Sequence, residues 1–422
     1  MKLKMLLGLF NLVLVSACLE ATEIPTTVHS VRETIQNINS GSENEVALAK
    51  RIEGMFTHAT LSGSVRTMYA GYDQKESSSI DTYSTAVGGA LKYELAGFKG
   101  FNAGVQFSTS HDMDFISGDR DQGRNNAELS SSNGNYTQLS EAYVNYKLND
   151  FNFRAGRQTI DTPLADSDDI RIVKNSFDAY IATYSYKGVE FMLGNLQKWQ
   201  GTDAGLDDGW VDAGVDGTNF GGISYANIFE FNAWYYNITK STNAFYVDTG
   251  VNYPINKNFT IHTMVQYLDE KELDKSGTAA HLYGALLELS IYDFDFGIAY
   301  NKSDKVTNKS SFSGFGGGVM FTSMDTSIID DIATDRDVDV IVGGLTYHLE
   351  DFSFLYAYGD FNGAKDSAGT KVHTREQDVS LEYNMQDKVV LSAIYVLKED
   401  RLMAVKSDND WSRMQVNLTY NF

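Results

Sequence analysis

The residues that could carry out chemistry are scattered, and no spacing gathers them into a catalytic set. Serine, histidine and aspartate all occur, but there is no Gly-x-Ser-x-Gly elbow and no His-Glu-x-x-His pair. Neither a strained nucleophile nor paired zinc-binding imidazoles can therefore be built locally. His262 sits beside Thr260 and Thr263 with strand spacing, which reads as a wall residue rather than a base. Asp203, Asp207, Asp208, Asp212 and Asp216 alternate with glycines and could offer oxygens to a hard cation, but they lack the spacing of a calcium loop. A solvated outer loop is the simpler reading, and the same holds for Asp325, Asp330, Asp331, Asp335, Asp337 and Asp339. Gly314-Phe315-Gly316-Gly317-Gly318 precedes no helix signal, so it is not a phosphate cradle and reads as a mobile outer hairpin. A formal charge of -22 excludes a nucleic-acid binder, and a single cysteine excludes a disulfide framework. No enzyme, cofactor or metal site is expected.

What the chain does show is period. From Arg413 to Phe422 the side chains Met414, Val416, Leu418, Tyr420 and Phe422 alternate with Arg413, Gln415, Asn417, Thr419 and Asn421. That is strand spacing, and it ends on an aromatic. The pattern resembles the last strand of bacterial outer-membrane barrels, whose terminal Phe is the assembly signal; Leu418, Tyr420 and Phe422 would fill that role. Thirty-six glycines, 25 tyrosines and 24 phenylalanines with only three prolines fit a barrel in which one residue in two faces lipid and aromatics ring the interfaces. Val87, Leu91, Tyr93 and Leu95 alternate with Gly88, Ala90, Lys92 and Glu94, and Ala142, Val144, Tyr146 and Leu148 with Glu141, Tyr143, Asn145 and Lys147. Charge facing lipid is costly, so Lys92, Lys147 and Arg413 should face an inner, aqueous lumen.

Eight short turns are readable, near residues 96–100, 148–151, 186–189, 226–228, 253–257, 291–293, 349–352 and 385–388. Nine longer polar loops lie between them, near residues 73–82, 110–136, 158–176, 199–217, 238–242, 269–277, 302–337, 362–374 and 398–410. Together they join eighteen strands with both ends on one side, which is the parity of a closed antiparallel barrel. The expected fold is all-β: a transmembrane antiparallel barrel over residues 57–422, its lumen wide enough for an aqueous channel rather than a packed core. At the amino terminus Lys2 and Lys4 precede an apolar run from Met5 to Val15, an export signal within residues 1–21. Cleavage near Ala17 or Ala21 and lipidation at Cys18 both remain open. Residues 22–56 read as a periplasmic segment, partly helical, with Leu48, Ile52 and Met55 at helical spacing.

A more particular likeness lies in the stretch from Leu139 to Phe177. It holds Ser140-Glu141-Ala142-Tyr143, Arg154-Ala155-Gly156-Arg157-Gln158, Asp161-Thr162-Pro163-Leu164 and Asp169-Ile170-Arg171 ahead of Asn175-Ser176-Phe177. This order resembles the OprD family of outer-membrane porins. The resemblance implies a third loop, Thr159 to Ser176, folded inward as the constriction. Asp161, Asp168 and Asp169 would form its acidic side, Arg171 its basic side, and Lys174 would lie in the same loop. Arg154 and Arg157 match the family's wall motif. Arg66 and Arg413 join them only by face assignment, and Glu141 is a lumenal acid able to pair with them. Because alternation sends Arg154 and Arg157 to opposite faces, one needs a bulge or a place above the lipid belt. The implied function is passive diffusion of small hydrophilic solutes such as carboxylates, amino acids or peptides across the outer membrane of a Gram-negative cell. Lipid, lipopolysaccharide and the barrel-assembly machinery are the implied partners, with monomer and homotrimer both open. An adhesin or barrel enzyme working through the long outer loops is the alternative.

Overall fold

The structure, a computed structural model, describes residues 43–422 apart from 76–78, 169, 403–404 and 407–409. The export signal, Cys18 and Asp169 lie outside the described residues. Among the described residues the helix α1 (Glu43–Thr57) precedes the sheet, and its last turn is fastened to the rim: the Ala96 amide donates to the Met55 carbonyl at 3.0 Å.

Eighteen strands form the wall. The first six are β1 (Thr60–Gln74), β2 (Thr82–Glu94), β3 (Phe101–Asp112), β4 (Asn135–Leu148), β5 (Phe151–Gln158) and β6 (Ser176–Tyr186). Next come β7 (Val189–Gln200), β8 (Thr218–Ala226), β9 (Phe229–Ile238), β10 (Thr242–Asn256), β11 (Phe259–Glu272) and β12 (Ala280–Ile291). The circuit is completed by β13 (Phe294–Asp304), β14 (Val338–Leu349), β15 (Phe352–Gly363), β16 (Val372–Met385), β17 (Val389–Leu402) and β18 (Trp411–Asn421). Each pairs antiparallel with the next, and β1 pairs with β18 from Ser64↔Asn421 to Gln74↔Trp411, so the sheet has no free edge. All eight short turns and nine long loops fall where the sequence places them.

The turns work because their residues tolerate left-handed backbone. Lys187 (φ 50°) and Gly188 (φ 84°) both take φ > 0, the requirement of a two-residue hairpin turn whose twist matches its strands. Tyr292 takes φ 53° although an aromatic seldom does. Ile291 pairs with Phe294, leaving two residues to reverse the chain, so the pairing of β12 with β13 overrides the local preference.

Alternation sorts the two faces. On β18, Leu418 and Tyr420 are 47% and 49% exposed while Arg413 and Thr419 are 0% and 2%. Val65, Leu91, Val144, Val265, Ile298 and Val379 continue the outward apolar belt around the barrel. With no water in hydrocarbon, only a closed sheet can present such a belt without orphaned backbone groups.

The interior departs from the expected open hole. In the half nearer the long loops, inward residues of β6 to β15, among them Phe177, Leu196, Phe220, Trp234, Tyr236, Leu268 and Val340, pack into one apolar cluster. Loop residues Leu164, Phe315, Met320 and Ile329 complete it. Eighteen strands leave room for a channel, but here two loops fill much of that room. Toward the short turns the same strands carry inward charge instead: His262 Nδ1 lies 2.7 Å from Glu288, and Nε2 lies 3.4 Å from Glu230.

Candidate pore constriction

Three long loops enter the barrel and converge on the seam between β1 and β18. The register sets Tyr72 beside Arg413 and Ala70 beside Gln415, with Arg66 two turns of the pleat lower beside Thr419. Loop 158–176 is stitched to this seam by its backbone. Arg66 donates to the Arg171 carbonyl at 2.8 Å, and Gln415 Nε2 donates to the Ile170 carbonyl at 3.0 Å. Arg171 returns a hydrogen bond to Gln415 Oε1 at 3.0 Å. Loop 112–135 contributes Glu128, which accepts from Tyr72 at 2.5 Å and from Arg413 Nη2 at 3.1 Å and stands 3.7 Å from Arg171 Nε. Burial would raise the Glu128 carboxyl, but the guanidiniums of Arg171 and Arg413 outweigh it and hold it below its ordinary value. Loop 304–338 contributes Asp325, paired with Arg413 Nη1.

Arg413 is therefore not a pore-lining residue. Its side chain is fully buried between Glu128, Asp325 and Gln415, where it ties two loops to the wall. Arg66 is similarly enclosed at 5% exposure, so neither offers a free guanidinium to a passing anion. Arg157 leaves the pore wall for a different reason. It pairs with Ala142 and Asp178 and shares the parity of outward-facing Phe151 and Phe153. Its guanidinium lies over the Trp210 ring at 4.5 Å and donates to the Leu139 carbonyl at 3.4 Å, at the upper end of a short strand. Arg154, of opposite parity, faces inward, stacked on Tyr143 at 4.2 Å and donating to Asn145. Glu141 pairs with Lys92 at 2.8 Å rather than with an arginine.

Within loop 158–176, Asp161–Thr162 and Ala165–Asp166 form a two-residue hairpin with Asp161 exposed, and Lys174 is half-buried. Asp168 sits at φ 30°, a left-handed position that aspartate tolerates better than most residues. Burial, reinforced by nearby Asp203, pushes its carboxyl up to about 8, and burial with Asp161 pushes Asp166 to about 7.

Sequence reading missed the second arm of the constriction. Gly314 to Gly318 is no mobile outer hairpin: the Phe315 amide donates to the Leu164 carbonyl at 2.9 Å, and the Asp166 amide donates to the Phe315 carbonyl at 3.1 Å. The Phe315 ring meets Trp199 edge-on at 5.6 Å. Gly316 has φ 88°, and a Cβ there would stand 2.5 Å from Asn175 Nδ2 and 2.6 Å from the Asp166 carbonyl. Only glycine fits that approach. Its signal in the sequence was this need for close contact, which a glycine run shares with a flexible loop. The aspartates of loop 201–217 are likewise dispersed: Asp203 accepts from Asn175, Asp207 from Ser132, while Asp212 pairs with Lys198.

Between loops 158–176 and 304–338 lies a cleft of about 280 Å³. Asp168, Asp203, Asp325 and Asp331 line it with Trp199, Ser323 and the glycines, and no lysine, arginine or histidine does so among the described residues.

No protein-family model matches the chain, and no curated protein matches it. Solved structures match in fold. OpdK of Pseudomonas aeruginosa, solved with vanillate, superposes with a TM-score of 0.72 and 15% identity over 87% of this chain and 100% of its own. OccAB3 of Acinetobacter baumannii does so with 0.72 and 12% identity over 86% and 99%, respectively. OpdL of P. aeruginosa gives 0.69 and 14% identity over 86% and 98%. The fold is that of the OprD and Occ outer-membrane porins, and its outward face carries a continuous apolar belt.

Proposed function

We propose that this chain is a porin through which small hydrophilic solutes cross the outer membrane by passive diffusion. The observation that carries this reading is the closed wall with a lipid-facing outside and three loops drawn in to a narrow polar gap, the arrangement of a filter rather than of a catalytic centre. An adhesin or loop-borne enzyme is less well served, because loops 112–135 and 304–338, where such a function would reside, are spent on filling the lumen. The constriction as drawn from the family likeness was to recognise carboxylates through wall arginines. OpdK was solved with vanillate, a carboxylate, but here Arg66, Arg171 and Arg413 are engaged by the loops and Lys92 by Glu141, which leaves Arg154, stacked on Tyr143, as the inward cation of that motif. We place residues 1–21 as export signal and 22–56 as periplasmic, and assign Phe422 to recognition by the assembly machinery in a Gram-negative host. Lipopolysaccharide around the outer loops completes the proposal.

The test is conductance in a planar bilayer. Purified, heat-modifiable barrel should give stable ohmic steps, with a reversal potential in a salt gradient that reports the sign of preferred ions. A correctly folded barrel that never conducts would refute the channel.

A further inference from the structure

We infer that the outward face of β11 to β16, at the end nearer the long loops, is a binding site for a phosphorylated glycolipid of the outer leaflet; the inference rests on the outer-membrane porin reading and assigns one arc of the wall to that lipid. The outward residues of these strands change character in a fixed order. Val265 and Ile298 are apolar, Tyr267, Tyr283 and Tyr300 follow toward the long loops, and charges lie beyond them. Tyr267 and Tyr283 face each other in register, and a row of aromatics marks where hydrocarbon ends. Asp269 and Lys302 each lie two residues past a tyrosine, about 7 Å along the strand, which is headgroup height. There the charges form one mixed patch. Asp269 holds His281 at 2.6 Å and Lys271 at 3.3 Å, and Lys302 lies 3.9 Å from Asp304. Further round, Asp360 takes both His373 and Arg375 at 3.0 Å.

The adjoining arc shows that height alone does not call for charge. The register row that ends at Lys271 runs back through Asn243, Asn237, Asn219 and Asn195 on the four preceding strands. These asparagines bond in pairs across the strands, Asn195 to Asn219 at 2.8 Å and Asn237 to Asn243 at 2.7 Å. An amide ladder satisfies the headgroup zone there, so the charges on β11 to β16 exceed what that zone requires. Their arrangement sets the occupant's chemistry. Lys271 is 73% exposed, and Arg375 meets Asp360 through Nε, which leaves its paired Nη groups for a bidentate acceptor. Phosphate fits such a fork. The carboxylates between these cations, half-exposed Asp304 among them, need donors instead, and sugar hydroxyls are donors that come in number. Acyl chains would continue onto the tyrosines and the apolar belt below. A phosphorylated glycolipid joins all three parts in one molecule, whereas a simple phospholipid lacks the sugar.

The experiment titrates the full barrel in detergent with diphosphoryl lipid A, using phosphatidylglycerol as the comparison, and reads bound lipid by native mass spectrometry. Lipid A should give saturable adducts at concentrations about tenfold below those at which phosphatidylglycerol binds. Lys302→Gln and Arg375→Gln should each weaken lipid A about tenfold, the effect of losing one charge-assisted contact. Lys198→Gln removes the same charge from β7, outside the arc, and should change nothing. Heat-modifiable migration checks that each variant is folded. Equal binding of phosphatidylglycerol, variants that titrate like wild type, or an equal loss with Lys198→Gln would each overturn the site. A barrel that binds lipid A and never conducts would count against the channel alone, and one that conducts and ignores lipid A against this site alone.

Discussion

At the scale of single residues, the charges divide by what surrounds them. Arg413 lies where its removal takes the ion partner from Asp325, whose side chain is 1% exposed, and leaves Glu128 with Arg171 alone. Breaking one partner out of a buried ion group typically costs about 3–5 kcal/mol, because the remaining charges are uncompensated. Arg413→Met should therefore lower the denaturation temperature and expose loops 112–135 and 304–338 to protease, which limited proteolysis followed by mass spectrometry reads directly. If Arg413 were instead a residue of the conducting path, stability would hold and ion preference alone would shift. Arg157 gives the converse expectation. Outward parity and the Trp210 cap put it away from the lumen, so Arg157→Ala should leave the reversal potential unchanged; a measurable shift would return it to the pore. The sequence held half of this. Strict alternation sent Arg154 and Arg157 to opposite faces, but only pairing to Ala142 and Asp178 decides which face is which.

At the scale of elements, the constriction is two loops held against each other, and its hold should depend on pH. Asp168 is pushed up to about 8 by burial and by Asp203, with Asp166 also adding and the Ile170 amide and Arg171 opposing. For an acid whose folded value is raised, the neutral form is the one the docked loop prefers. Docking is therefore fully supported below the ordinary carboxylate range and is lost progressively as pH rises toward 8. Current fluctuations should grow between about pH 4 and pH 8, and Asp168→Asn should flatten that dependence; fluctuations that rise toward acid pH would contradict it. Gly316 is the mechanical counterpart. Gly316→Val would force a β-branched side chain into left-handed backbone and against Asn175, so the tip of loop 304–338 should detach and single-channel conductance rise. The inward path of this loop was not legible beforehand. Strand period repeats every two residues and can be read locally, whereas the contact of Phe315 with Leu164 joins distant stretches that have no period at all. A glycine run looks the same whether it is free or pressed against a neighbour.

At the scale of the whole molecule, two boundary conditions act on one sheet, and the fold satisfies both at once. Outside, each second side chain meets hydrocarbon; inside, the neighbours meet loops near one end and charge near the other. This is why the wall was readable from the sequence to nearly every turn while its contents were not: the lipid imposes one rule on all eighteen strands, but the lumen imposes a different one on each. Val265 lies midway along β11, among the more exposed apolar residues of the belt. Val265→Arg should cost roughly 2–4 kcal/mol, the range for a basic residue facing mid-bilayer lipid, and reversible urea unfolding from vesicles measures it. The same charge at Tyr420, close to the rim and the carboxyl terminus, should cost about 0–1 kcal/mol, because depth and not apolarity sets the penalty. Equal costs at the two sites would mean that the belt faces protein or water rather than a bilayer. A steep gradient between them would locate the membrane along the strand and leave the loops, by subtraction, as the part of the chain free to have been shaped by what passes through.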